Sequence, residues 1–245
     1  MYNGISSSDR PRRRSSEGQE ERKRPQSRPA GGALHEAVEP IRDKADIEAA
    51  KAWLLSQKPR WCTHPTNLRN YMMFILNINN GTRISDLLRL RIQDVTLEDG
   101  TIKDELLIRE SKTSKTRYMF FGPSCKLAIK QYLDALPSYE RTDFLFASRN
   151  SGVNGESRPI TRQMAWEIMS SMGKAISQSR ACPLHLGTHS LRKTFGYQRI
   201  KANPGDAMII AQVSEMYNHT NMNTTYRYLG FDKEAKRNLC VAYEL

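Results

Sequence analysis

His189 and Arg192 stand three residues apart in a segment, residues 187–230, that also carries His219 and, nine residues later, Tyr228. With residues 190–200 read as a helix, His189 and Arg192 share one face. A guanidinium held beside an imidazole suits an anion that must undergo proton transfer. Tyr217, Tyr226 and Tyr228 offer a nucleophile close by. A phenol has a pKa near 10, so only about one in a thousand is ionised at pH 7. It needs a base or strongly positive surroundings before it attacks. On a helix Tyr226 and Tyr228 point roughly 200° apart, so one of them faces the site, and spacing alone does not choose between them. His185, His189 and His219 are a competing metal set, because the first two are four apart. No cysteine or carboxylate at helical spacing completes it, and no metal is expected.

Such a site still needs more cations and a general acid. The 245-residue chain has a formal net charge of +12, with a pI near 9.7. That balance makes nucleic acid the leading partner, since a duplex presents a dense line of phosphates. No run approaches the roughly 18 apolar residues of a membrane span. The polar N-terminus has no apolar signal region, so a cytoplasmic protein without a membrane partner is expected. Cys62, Cys125, Cys182 and Cys240 are widely spaced, which fits reduced, mostly structural thiols.

The elements that must position these groups follow in order. Residues 1–42 read as a disordered basic tail rich in Ser, Pro, Gly and charge. Residues 43–55 form a helix with Asp46 as N-cap candidate. Residues 65–78 form an apolar core helix ended by Gly81 in left-handed geometry. Residues 82–91 form a short helix with Arg83 in its first turn, where a cation is unfavourable unless it serves an anion. The bland alternative is a surface Arg83 paired with Asp86. Residues 94–121 are β-structure, with strands at 106–108 and 118–120 around a polar tip bearing Lys112, Lys115 and Arg117. Residues 123–136 are helical, with Leu127, Ile129, Tyr132 and Leu133 as core candidates. So are residues 161–176, with Met164, Ile168 and Met172 inward. Pro204 opens a further helix through Met208 and Val213, and residues 231–245 are a tail of helical character.

The pieces GTRISDLLRLRIQDV, the Lys112 hairpin, THSLRKTFGYQ and NHTNMNTTYRYLG together resemble the catalytic domain of the tyrosine recombinases, the phage integrase family. They occur in the family's order across most of residues 46–232. The resemblance implies an α+β fold, mainly helical with a small antiparallel sheet, over residues 43–232. It implies Arg83, Lys112, His189, Arg192, His219 and Tyr228 as catalytic residues, with Asp86 supporting and Lys115, Arg117 and Lys193 on DNA. Arg83 and Arg192 would clamp the phosphate, and Tyr228 would attack it. His189 would take the phenol's proton, Lys112 would protonate the leaving 5′ oxygen, and His219 would donate to the phosphate. Lys115 and Tyr226 stay open as alternatives to Lys112 and Tyr228. The product would be a 3′-phosphotyrosine, reversed without ATP or metal, so no cofactor is expected. The implied partners are double-stranded DNA, a homotetramer on that DNA and an accessory directionality protein. Residues 233–245 are the candidate for docking on a neighbouring protomer. The chain looks like the short, single-domain recombinases, and the family's usual Gly before the late histidine is Asn218, which tolerates left-handed geometry. A noncatalytic DNA-binding regulator and a type IB-like topoisomerase are the competing functions.

Overall fold

The central helix is α2 (Thr66–Asn80). Residues 72–76 are all buried, a pattern that requires neighbours on every side. Those neighbours are α1 (Lys44–Ser56), α5 (Pro123–Asp134) and α7 (Thr188–Ala202). α2 ends at Gly81, whose φ of 58° is left-handed and whose N–H donates to the Asn77 carbonyl at 2.7 Å. A Cβ on Gly81 would come within 2.7 Å of Phe195, so both the turn and the approach of α7 require glycine. The computed structural model describes residues 38–58, 64–149, 156–178, 180 and 183–242.

After Gly81 come two single turns, α3 (Ile84–Leu87) and α4 (Ile92–Val95), then a hairpin of β1 (Glu105–Arg109) and β2 (Thr116–Phe120). The strands are antiparallel, with Leu106 opposite Met119 and Ile108 opposite Arg117. α6 (Arg162–Ile176) packs on α1 and α7. Its N-cap Thr161 accepts from the Met164 N–H. These elements share one large apolar core. A second cluster of Phe195, Ile200, Ile210, Val213, Tyr217 and Leu229 ties α7 to α8 (Ala207–Tyr217) and α9 (Met222–Leu229). α10 (Phe231–Ala242) follows Gly230. The mainly helical fold with a small antiparallel sheet is therefore as expected.

Several local expectations are corrected. Residues 82–91 are not one helix: α3 is a single turn, and Arg83 is its N-cap in extended geometry. Asp46 does not cap α1; it is buried and ion-paired with Arg180, while Asp43 takes the cap position. Leu127, Met164 and Met208 are exposed, and Cys125, Ala128, Met169 and Ile210 fill the core instead. Cys125 is buried, which raises its thiol to about 11, whereas Cys240 is exposed. Cys62 and Cys182 lie outside the described residues, as does residues 1–37 of the expected tail.

Residues 38–42 belong to the fold rather than to that tail. Ile41 is fully buried, and its N–H donates to Thr194 Oγ1 at 2.8 Å. Gln198 Nε2 donates to the carbonyls of Ile41 and Arg42, each at 2.9 Å. Arg42 pairs with Glu234 of α10 at 2.6 Å. Among the described residues no helix is long and apolar enough to cross a membrane.

Candidate active site

α7 opens where the Ser190 hydroxyl accepts from the Gly187 N–H at 3.1 Å. His189 is its second residue and keeps an accessible edge; Arg192, one turn on, is buried. Arg192 Nη1 donates to the Gly81 carbonyl at 2.5 Å, which fixes the guanidinium beside the start of α3. Its Cζ also lies 4.2 Å from the centre of the Tyr217 ring. The Tyr217 hydroxyl reaches the α7 backbone, accepting from Gly196 N–H at 3.0 Å and donating to the Arg192 carbonyl. Only glycine permits this, because a Cβ at 196 would sit 2.8 Å from that hydroxyl.

α8 ends at Asn218 with φ 56° and ψ 40°, the left-handed geometry expected there. That turn folds His219 back toward α7. The Tyr228 ring stands edge-on to His219, with centroids 5.2 Å apart, and to Tyr217 at 5.7 Å. Lys193 Nζ lies 5.0 Å from the Tyr228 ring centre. Tyr226 packs instead against Phe231 and borders a separate cavity with Tyr197 and Lys201. The geometry that spacing left open thus puts Tyr228, not Tyr226, beside the arginines.

Arg83 does not pair with Asp86. It pairs with Glu110, a buried carboxylate at the end of β1 that also accepts from Thr113 Oγ1 at 2.7 Å and Asn218 Nδ2 at 2.9 Å. One side chain therefore ties an arginine, the hairpin turn and the histidine turn. Asp86 is buried too and holds the hairpin from the other side, accepting from the Ser111 N–H at 3.0 Å and from Arg89 at 2.9 Å. Ser111 is the neighbour of Lys112. Lys112 and Lys115 are both exposed on the turn. Lys115 borders a cleft of about 650 Å³ together with His219, Asn218 and Glu215.

Arg117 is not on the hairpin tip. It lies within β2 on the inward face, donating to the Asn80 carbonyl and, at 3.5 Å, to the Met216 carbonyl. These are the last turns of α2 and α8, where unpaired carbonyls attract cations. Among the described residues, and apart from the Asn77 amide, the buried side-chain polar atoms without a hydrogen-bond partner belong to Thr82, Arg83, Asp86, Glu110 and Arg117. Arg83 Nη1 faces Glu110 as an ion pair without hydrogen-bond alignment. Buried polar groups cost free energy when unpaired, so their gathering at one place marks it as built for something other than packing.

The protonation states follow from the same crowding. Burial pushes the Tyr228 phenol up, and Arg192 and Arg83 only partly oppose it. Partial burial lowers His189, with Arg192, Lys193, Arg162 and Arg83 adding to the effect. Burial, Arg192 and Arg83 lower His219 in the same way. Both imidazoles are thus neutral near pH 7 and the phenol keeps its proton. Burial also brings Arg117 down to about 10, with Arg192 among the causes. Among the described residues no three His, Cys, Asp or Glu side chains are grouped to hold a metal ion.

Residues 49–235 match the phage integrase family over most of the chain. The chain belongs to the phage integrase family. Among its relatives, "Probable integrase/recombinase YoeC" of Bacillus subtilis is 34% identical across 82% of this chain and 93% of its own length. Tyrosine recombinase XerC of the same organism is 26% identical, over 74% of this chain and 55% of its own. The chain thus spans little more than half of that longer relative. Among solved structures, the XerA recombinase superposes with a TM-score of 0.58 at 21% identity, covering 91% of this chain and 68% of the other. The XerH recombinase bound to its difH substrate gives 0.57 at 19%, covering 85% and 54%. At these identities the two structures speak for the fold. As a phage integrase family member the chain is an enzyme of the tyrosine recombinase and integrase class, whose members break and rejoin DNA.

Proposed function

We propose that this chain is a site-specific recombinase in which Tyr228 attacks a scissile DNA phosphate. The Tyr228 Oη–P bond forms and the P–O5′ bond breaks, leaving a 3′-phosphotyrosine and a free 5′ hydroxyl. Neutral His189 takes the phenolic proton, and Lys112 supplies one to the departing oxygen. Arg83 and Arg192 hold the nonbridging oxygens and stabilise the charge that builds on the five-coordinate phosphorus. His219 is a further contact to the phosphate, and Asp86 positions the hairpin. Religation is the reverse of the same step, so no energy source is consumed. The observation that carries this reading is the placement of the Tyr228 ring against His219 in the field of Arg192 and Arg83.

For the general acid a second reading has its own support. Lys115, not Lys112, shares a cleft with His219. The hairpin turn is exposed in both cases, so DNA selects which lysine reaches the leaving group.

The partner is double-stranded DNA, in keeping with the charge of +12 and with solved relatives bound to DNA substrates. Lys193 and Lys115 contact its backbone. Arg117, spent on helix carbonyls, contributes field rather than contact. Strand exchange requires two duplexes and four active sites, so a homotetramer on DNA is the working assembly, with α10 as a bridge between protomers and an accessory protein setting direction. The work is done in the cytoplasm, on the nucleoid, a reading in keeping with bacterial relatives.

The test is suicide-substrate trapping with nicked duplexes, read on a denaturing gel and by mass spectrometry. The adduct should map to Tyr228, vanish in Tyr228→Phe and persist in Tyr226→Phe. A covalent adduct in Tyr228→Phe would refute the assignment.

A further inference from the structure

His219 is hydrogen-bonded through Nδ1 to the fully buried Thr225 hydroxyl at 2.9 Å. Thr225 meets the Ser214 hydroxyl at 2.7 Å. Ser214 in turn reaches the Ile210 carbonyl at 2.8 Å. The chain ends on a group that can only accept, and each hydroxyl has one proton to give. If Ser214 donates to Ile210, Thr225 must donate to Ser214, and His219 Nδ1–H must donate to Thr225. That direction makes three bonds. The reverse, Ser214 to Thr225 to a bare Nδ1, makes two and drops the bond to Ile210. One net hydrogen bond favours the first arrangement by roughly fivefold.

We propose that Thr225 and Ser214 are positioning residues that hold neutral His219 as its Nδ1–H tautomer, with Nε2 turned to the site as a lone pair. The proposal rests on the reading of His219 as a phosphate contact. A lone pair repels an anionic phosphoryl oxygen, so His219 becomes a donor to it by taking up a proton at Nε2 while Nδ1–H stays on Thr225. Seating of the phosphate is then coupled to uptake of one proton. The groups facing His219 are Arg192 from α7, Arg83 before α3, the rings of Tyr217 and Tyr228, and Lys115 and Glu215 along the adjoining cleft. Burial and the two arginines keep the imidazole neutral in the free protein, and an incoming phosphate reverses the arginines' field.

The tautomer can be read directly by nitrogen NMR of the full chain, DNA-free, with ¹⁵N-labelled histidine and His219→Asn for assignment. The protonated and bare ring nitrogens resonate far apart. Wild type above pH 7 should show Nδ1 protonated and Nε2 bare. Ser214→Ala removes the acceptor of the Thr225 proton, which then turns to Nδ1, and the tautomer should switch to Nε2–H. Thr225→Val should switch it as well, and Thr225→Ser should restore it. Ser214→Ala, the smaller change, keeps the test intact if Thr225→Val does not fold. An Nε2–H signal in wild type, or an unchanged tautomer in Ser214→Ala, overturns the proposal. Cleavage of a suicide substrate separates the two readings. With Nε2–H preformed, Ser214→Ala should lose less rate than wild type between pH 6 and pH 8, by roughly fivefold. A switched tautomer with an unchanged pH profile supports the hydrogen-bond chain and removes His219 from the phosphate.

Discussion

Tyr217→Phe isolates one oxygen that holds the helix beneath Arg192. The Tyr217 hydroxyl accepts from Gly196 N–H at 3.0 Å and donates to the Arg192 carbonyl. Residues 192 and 196 are an i, i+4 pair, so the oxygen inserts beside a rung of the α7 ladder, a known cause of local helix distortion. Phenylalanine keeps the ring under the Arg192 guanidinium, 4.2 Å away, and removes only the two hydrogen bonds. Each is worth about 1 kcal/mol net. The expected loss is about 2 kcal/mol, falling to about 1 kcal/mol if Gly196 N–H closes fully onto the Arg192 carbonyl. Urea unfolding measures that term. Single-turnover cleavage and nonspecific DNA affinity measure whether Arg192 has moved, and cleavage should fall while affinity holds. Gly196→Ala gives the reciprocal perturbation, since its Cβ would press on the same hydroxyl. It should cost less in the Tyr217→Phe background than in wild type, a coupling that a double-mutant cycle reads. A loss below about 0.5 kcal/mol with unchanged cleavage refutes the argument. So does strict additivity of the two substitutions.

Glu110→Ala should destabilise by about 3 kcal/mol, because it leaves Arg83 without its buried carboxylate; Glu110→Gln should cost less by keeping the bonds from Thr113 and Asn218. A loss under about 1 kcal/mol for the alanine variant in urea melts would show that the pair contributes nothing. Substrates with sulfur at the 5′ bridging position need no acid for departure, so they should rescue Lys112→Ala but not Arg192→Ala; rescue of Lys115→Ala instead would move the acid to Lys115. His64, His189 and His219 are all lowered from 6.5 by burial. The unfolded chain therefore binds protons first, and stability present above pH 6.5 should decline as pH falls through the folded values. A urea midpoint that is flat or rising from pH 7 to pH 5 would contradict this.

The long helices α1, α2, α5, α6 and α7, Gly81 and Asn218 were legible because they are local: an apolar stripe, a stop signal and a residue tolerant of positive φ. The candidate site was legible as a set of residue types in order; the structure gathers Arg83, Arg192, His189, His219 and Tyr228 and leaves Lys112 exposed on the hairpin turn. What the chain hid was which partner each charge takes. Arg83 stands three residues from Asp86, yet pairs with Glu110 across the fold. Arg117 looked like part of a basic tip because its neighbours are polar. The signal that places it inward was available: it shares the period-2 face of buried Met119, opposite exposed Thr116 and Tyr118. Tyr217 was weighed only as a nucleophile, and nothing local announces that its hydroxyl enters another helix. Nothing local singles out Thr225 and Ser214, since their meeting depends on how α9 packs on α8.

The strap at residues 41–42 has a mechanical consequence. Ile41 hangs on Thr194, two residues from Arg192, and Gln198 grips the next two carbonyls. The strap thus couples residues 41–42 to the face of α7 that carries Thr194 and Gln198. Tension applied to residues 41–42, by a fused domain or a surface tether, is delivered to the helix that carries Arg192. An immobilised or tagged form anchored through the exposed face of α5, for instance at Lys130, leaves that lever slack. One anchored at residues 38–42 turns it into a handle on α7.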